Sequence, residues 1–182
     1  MTLVVEDGTG LANAESFASV AEADTYLAKR GMTNWATLTN TEKEQALVRS
    51  TDYMEQAYRL LWKGNRVTAT QALSWPREWV EREDYSSTSG LTGDIDGKFY
   101  YPSNVVPNEV KAACITLAFK AASGDLAPDL DRLTKREKID VIEVEYETGG
   151  VQYVRFRSVD MMLGPIVKIG GPGSQQVKLA RC

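Results

Sequence analysis

The chain contains no histidine among its 182 residues. That single count removes Ser-His-Asp and Cys-His catalysis, histidine metal ligands and the commonest general base together. The groups left that could do chemistry are carboxylates, two cysteines, and serines beside aromatic residues. Cys114 sits in an apolar helical pattern and Cys182 is the last residue given, so neither a disulfide framework nor a cysteine-rich zinc site is expected. Ser74 beside Trp75 and Ser16 beside Phe17 show no activating base in the sequence around them. Asp94-x-Asp96-Gly97 has the start of a calcium loop but lacks its remaining ligands and closing glutamate. The phosphate-binding, dinucleotide, nucleophile-elbow and zinc-protease motifs do not occur. The expectation is a protein without catalytic activity, cofactor or metal.

What stands out instead is the stretch from Lys63 to Trp79. It holds Lys63-Gly64-Asn65-Arg66 and then Gln71-Ala72-Leu73-Ser74-Trp75-Pro76-Arg77. Pro76 removes a backbone donor and holds Trp75 extended, so no helix should cross here. Trp and Arg are the residue types that anchor protein interfaces, but tryptophans in a connection also fill gaps between helices. The residues alone leave both roles open. A family resemblance carried by Gln71 to Arg77 divides them: Leu73 and Trp75 are then expected to pack on the two long helices, and Lys63, Arg66 and Arg77 to face a neighbour or a channel.

The elements that must position this stretch read as helices. Ser19 and Glu22 have the spacing of a capping box, opening a helix with Val20, Ala23, Tyr26 and Leu27 on one stripe and ending at Gly31. Thr39 and Glu42 repeat that spacing before the longest helix, from about Thr41 to Leu61, where Leu47, Ser50, Met54, Ala57, Tyr58 and Leu61 share a face. Pro107 suits the first turn of a third helix, whose buried stripe is Val110, Ala113, Cys114, Leu117, Ala118 and Ala121. Gly124 ends it. The predicted core is led by Leu47, Met54, Leu73, Trp75, Val110, Cys114 and Leu117.

From Lys138 the period changes to two. Ile142, Val144 and Tyr146 alternate with glutamates, and Val151 to Arg157 forms a second strand, giving a hairpin over about 138–157. A three-residue Thr148–Gly150 loop pairs Val144 with Val154 and Ile142 with Phe156, which keeps one face apolar. A short helix follows from Ser158 or Asp160 through Leu163. Residues 170–182 read as a glycine-rich hinge and a mildly apolar arm, with Val177, Lys178 and Leu179 available for donation to a neighbour. The polar segment over about 81–101 reads as an exposed variable loop.

The fold class is therefore mainly α (α+β): a small helical bundle with one C-terminal β-hairpin and extended N- and C-terminal segments. Hydrophobic content of 43% and charged content of 25% suit one globular domain over residues 1–169. No apolar run reaches the length of a membrane span and the N-terminus lacks signal-peptide character, so a cytosolic site of synthesis and no membrane partner are expected. A net charge of −4 argues against a broad phosphate-binding face.

Several segments resemble a tailed-bacteriophage structural family. They are Glu6-Asp7-Gly8-Thr9-Gly10-Leu11-Ala12-Asn13-Ala14-Glu15-Ser16-Phe17, Ala21-Glu22-Ala23-Asp24-Thr25-Tyr26, and Gly31 to Trp35. Further on come Ala46 to Tyr53, Gln71 to Arg77, Val106-Pro107-Asn108-Glu109-Val110-Lys111-Ala112-Ala113-Cys114 and Gly124-Asp125-Leu126. Members are often labelled DnaT-like single-stranded-DNA-binding proteins, and they resemble head–tail connector adaptors, also called head completion proteins. The resemblance implies a structural virion protein made in the host bacterial cytoplasm and placed in the neck between head and tail. It implies a homo-oligomeric ring, of about twelve copies, contacting the portal protein and a tail-side protein. DNA would pass through the ring without sequence-specific binding. The alternative is a single-stranded DNA-binding module, for which Trp75, Trp79, Tyr85, Arg66, Arg77 and Arg82 would supply stacking and charge.

Overall fold

Two capping boxes set the helical frame. Ser19 Oγ accepts the Glu22 N–H at 3.2 Å while the Glu22 carboxylate takes the Ser19 N–H at 2.8 Å, opening α1 (Val20–Ala28). Thr39 and Glu42 repeat the exchange at 3.3 and 2.7 Å and open α2 (Asn40–Tyr58). Each box satisfies donors that a helix start otherwise leaves orphaned. The computed structural model describes residues 2–84, 99–129, 136–139, 142–145 and 156–168.

The helix α2 ends three residues before the predicted Leu61. The Leu61 N–H turns back to the Tyr58 carbonyl at 2.9 Å, a tighter turn that carries Trp62 into the interior at 1% exposure. Pro107 stands one residue outside α3 (Asn108–Ala121) as its N-cap. The helices α2 and α3 form the central pair, with α1 and α4 (Arg157–Leu163) packed on α3. The α3 stripe is buried as its spacing predicts, Val110, Ala113, Cys114, Leu117, Ala118 and Ala121 all lying inside. Leu47, Met54, Leu73 and Trp75 are buried with them in one cluster. The chain is mainly α (α+β).

The extended pieces are short. Strands β1 (Asn65–Arg66) and β2 (Arg77–Glu78) pair antiparallel, with Asn65 opposite Glu78 and Arg66 opposite Arg77. The tail of the bundle returns to this region: Lys63 N–H reaches the Ile166 carbonyl at 3.1 Å and Lys168 N–H the Leu61 carbonyl at 2.7 Å. Near the N-terminus the buried Glu6 carboxylate accepts the N–H groups of Gly8, Gly10 and Leu11, each at 2.9 Å. The Glu6-Asp7-Gly8-Thr9-Gly10 motif is thereby explained as a loop wound around its own carboxylate.

A hairpin is described just before and within the first predicted strand, and residues 146–155, which carry most of the predicted second strand, lie outside the described residues. Its described strands are β3 (Arg136–Ile139) and β4 (Ile142–Glu145), with Glu137 opposite Val144 and Ile139 opposite Ile142. Phe156 and Arg157, expected to end the second strand, instead stand at the start of α4. Phe156 caps α4, accepting from the Val159 and Asp160 N–H groups at 2.8 and 3.0 Å, and its ring meets Tyr53 edge-on at 5.4 Å. Helix capping plus an aromatic contact with α2 thus replaces the predicted pairing of Phe156 with Ile142. The Thr148–Gly150 loop and the pairing of Val144 with Val154 lie outside the described residues.

Both ends of the predicted variable loop are fastened. Arg82 N–H bonds the Phe99 carbonyl at 2.7 Å, and Tyr101 N–H bonds the Val80 carbonyl at 2.9 Å. Residues 85–98, which include Asp94, Asp96 and Gly97, lie outside the described residues, as does the 170–182 arm. Among the described residues no cluster of three acidic, cysteine or histidine side chains could hold a metal, and no helix is long and apolar enough to cross a membrane.

Candidate functional site

The segment from Lys63 to Trp79 folds around two inward-turned arginines. Arg77 is only 8% exposed. Its guanidinium donates to three carbonyls, Lys63 at 2.7 Å through Nε, Ser74 at 3.1 Å through Nη1 and Gly64 at 2.7 Å through Nη2. Arg66, half-buried, donates through Nη2 to the Gln71 carbonyl and to the Leu73 carbonyl at 2.9 Å. The expectation that Arg66 and Arg77 face outward is corrected: a planar fork with five donors suits converging carbonyls, and here the turn supplies them. Burial pushes the Arg77 guanidinium below its ordinary pKa, as does the nearby Arg66, while Glu55 opposes the shift. Lys63 is half-buried and donates to Glu83 at 2.7 Å and to the Pro165 carbonyl at 2.9 Å.

Gln71 and Ser74 complete the scaffold. The Gln71 amide donates to the carbonyls of Leu73 and Pro76 at 2.9 and 3.0 Å. Ser74 donates its N–H and its hydroxyl to the two carboxylate oxygens of Glu55, each at 2.7 Å. A carboxylate therefore does lie against Ser74, contrary to the sequence reading. At 1% exposure Ser74 is sealed from any substrate, and the same carboxylate is held by its backbone N–H. The contact is a tie between α2 and the loop. Cys114 is likewise sealed, with its Sγ 3.2 Å from Ser50 Oγ and 3.5 Å from Thr51 Oγ1.

The four tryptophans separate by exposure. Trp35, Trp62 and Trp75 are buried, whereas Trp79 is 61% exposed. The Trp62 and Trp75 rings meet edge-on at 5.8 Å inside the core, and the Trp75–Pro76 peptide is cis. Trp79 has φ +61°, an unusual conformation for a bulky residue, and its ring meets Tyr100 edge-on at 5.7 Å. Its chain neighbours in the described segment include Glu78, Glu81, Glu83 and Asp84. Arg82 stacks its guanidinium 5.0 Å from the Tyr101 ring. Sequence reasoning placed Trp75 inside but missed both the burial of Trp62 and the outward display of Trp79. The signal that could have suggested the latter is the run of charged residues on both sides of it, from Arg77 to Asp84, in which only Val80 is buried among the apolar side chains.

A second surface lies between α1 and α3. It is a groove of about 940 Å³ whose walls include Tyr26, Lys29, Arg30, Lys111, Ile115 and Met162. The Arg30 guanidinium sits 3.3 Å from the Tyr26 ring centre, and Lys111 pairs with Glu22 at 2.7 Å. Neither surface brings together an acid, a base and a nucleophile.

Of the sequence-predicted contact residues, then, Lys63 is partly accessible, Arg66 and Arg77 point inward, and Val177, Lys178 and Leu179 lie outside the described residues. Of the residues weighed for DNA stacking, Trp75 is sealed, Trp79 and Arg82 are exposed, and Tyr85 lies outside the described residues.

Comparison with known proteins gives one family. The model of the family described as "Putative DnaT-like ssDNA binding protein" matches residues 1–182. That description speaks for single-stranded DNA binding and does not mention a phage connector. No curated protein and no solved structure matches.

Proposed function

The chain belongs to the DnaT-like ssDNA binding protein family over its whole length, and within that family we propose that it acts by binding protein, as a head–tail connector adaptor. In this reading it is a structural, non-catalytic subunit that forms a ring under the phage portal and seats the tail. The carrying observation is Trp79, a large aromatic side chain 61% exposed beside acidic residues, on a loop whose Arg66 and Arg77 are committed to carbonyls and whose neighbour Arg82 is stacked on Tyr101. Strand binding needs cations around its stacking rings. Docking onto protein needs an aromatic anchor. Glu78, Glu81, Glu83 and Asp84 suit the second need better than the first. The arm after residue 170 would add contact area to such an assembly. Purified virions test the reading: this chain should appear in cryo-electron microscopy as a ring between portal and tail. Its absence from purified particles would end it.

The second reading is a single-stranded DNA-binding module, and the family description favours it. A surface other than the one read from the sequence lends it support. Lys29, Arg30 and Lys111 line the α1–α3 groove together with Glu22 and Glu109, Arg30 lying over the Tyr26 ring and Lys111 pairing with Glu22. Anisotropy of a labelled oligothymidylate measures this directly. Salt-dependent binding lost in Arg30→Ala would support the DNA reading, and no binding at low salt would remove it.

A further inference from the structure

We propose that Trp79, with Tyr100, is the anchor by which this chain docks on an assembly partner, and that the partner presents an apolar pocket rimmed by lysine and arginine. The inference rests on the connector reading and names the surface and the chemistry that reading requires.

The loop is built to hold one ring outward. Trp79 stands between the half-buried Glu78 and Val80, which is fully buried. Arg77, immediately before Glu78, fastens β2 to the carbonyls of Lys63 and Gly64, and the Tyr101 N–H fastens Val80 at 2.9 Å. Gly64 has φ +65° and lies so close that a Cβ there would stand 2.2 Å from the Glu78 carbonyl oxygen and 3.1 Å from the Trp79 carbonyl carbon. Trp79 itself adopts a positive φ that a bulky side chain disfavours. Strain of this kind persists where surrounding structure over-determines it, and it clusters at functional sites. Tyr100 then supports the indole edge-on at 5.7 Å, which fixes a ring that solvent exposure would otherwise leave free.

Charge chooses the occupant. Asp84 and Glu83 are exposed, and Glu78 and Glu81 are half-buried. Among the described residues the cations near them are Lys63, which pairs with Glu83, Arg82, which stacks on Tyr101, and Arg66 and Arg77, which are turned inward onto carbonyls. Among the described side chains of this segment that solvent reaches, carboxylates outnumber cations, a balance that disfavours a phosphate backbone and favours a basic rim. An apolar pocket in that partner would desolvate the indole, and the carboxylates would steer approach and set the salt dependence.

The test uses the full-length chain carrying fluorotryptophan and an unlabelled, purified portal ring. The fluorine spectrum of the free chain should contain one solvent-exposed signal, assigned by its loss in Trp79→Phe. Mixing with the ring should shift or broaden that signal before the three buried ones. Trp79→Ala should weaken binding roughly tenfold or more, as for an interface anchor, with the fold intact in thermal melting. Trp79→Gly keeps the positive φ without strain and should lose binding equally, which separates docking from backbone conformation. Binding should also weaken with added salt and in Glu83→Lys and Asp84→Lys. Wild-type affinity in Trp79→Ala and Trp79→Gly overturns the proposal. So does burial of the Trp79 signal by oligothymidylate, or by a second copy of the chain, with no ring present. Failure of the wild-type chain to bind either the portal ring or the tail-side protein overturns the connector reading itself.

Discussion

Ser74 is tied to Glu55 twice, backbone N–H to one carboxylate oxygen and hydroxyl to the other, both at 2.7 Å. The pair joins the middle of α2 to the loop that carries Trp75, and nothing in the sequence separation of the two residues announces it. Glu55→Ala leaves two donors of a sealed residue without acceptors. The expected loss is about 2–4 kcal/mol of unfolding free energy, since each stranded buried donor costs roughly 1–3 kcal/mol. Urea unfolding measures it. A loss below about 0.5 kcal/mol, the range for an ordinary surface change, would show that water replaces the carboxylate freely.

Arg77 is a stability residue, the reverse of what its place in a Trp–Pro–Arg segment suggests. Arg77→Ala strands the carbonyls of Lys63, Ser74 and Gly64 and should cost about 2–4 kcal/mol. Arg77→Lys should recover only part of this, because an ammonium cannot hold the same fork. Arg82→Ala, at an exposed site, should stay within about 0.5 kcal/mol. Unfolding midpoints for the three variants should fall in that order.

What the sequence revealed and hid follows from the range of each interaction. The capping boxes at Ser19–Glu22 and Thr39–Glu42 and the stripe from Val110 to Ala121 are local, so spacing alone located them. The direction of Arg66 and Arg77 depends on carbonyls that converge only after the turn has closed, which no periodicity encodes. The end of α2 was missed for a similar reason: Leu61 continues the helical stripe, but Trp62 enters the core only if the last turn tightens. Phe156 alternates like a strand residue, yet its ring finds Tyr53 and its carbonyl starts α4. Tertiary packing overrode the local period. Of the candidate site, the segment was legible and the exposed residue within it was not.

Acid should weaken the fold through Glu22. Burial alone would raise this carboxyl, but hydrogen bonds from Lys111 and Ser19 and the charge of Lys111 outweigh it, leaving the pKa below the ordinary 4.5. The folded state therefore binds this proton less readily than the unfolded chain. The contribution is present above pH 4.5 and is lost as pH falls through the lower folded value. Because Glu22 is substantially exposed, solvent screening keeps the effect small. Urea unfolding as a function of pH should show a shallower acid slope in Glu22→Gln than in wild type. Identical slopes would remove Glu22 from the account.

Gly64 should be intolerant of any side chain. Its φ is +65°, and a Cβ would approach the Glu78 carbonyl oxygen to 2.2 Å. The obstacle is backbone, which cannot rotate away, so β1 and β2 would have to separate. Gly64→Ala should lower stability by at least the roughly 1–3 kcal/mol of a strained backbone position. Gly124, where a Cβ meets nothing within 4 Å, provides the control, and Gly124→Ala should change stability little. Equal effects at the two sites would mean that the Gly64 turn relaxes without cost.

The tryptophans give the last comparison, because two of them lie four residues apart in opposite environments. Trp75 is fully buried and packs edge-on against Trp62, while Trp79 is 61% exposed. Trp75→Ala removes a core aromatic and should cost about 3–5 kcal/mol. Trp79→Ala removes a mostly exposed side chain whose described ring contact is Tyr100 and should cost about 1 kcal/mol or less. Trp79→Gly relieves the positive φ and should leave stability equal to that of Trp79→Ala or above it, although glycine is the more flexible residue in the unfolded chain. Tryptophan emission provides a second readout. Loss of Trp79 should remove the fraction most readily quenched by acrylamide and shift the remaining emission to the blue, whereas loss of Trp75 should leave that fraction in place. If Trp79→Ala unfolds the chain as Trp75→Ala does, Trp79 is part of the packed interior and cannot be a docking anchor.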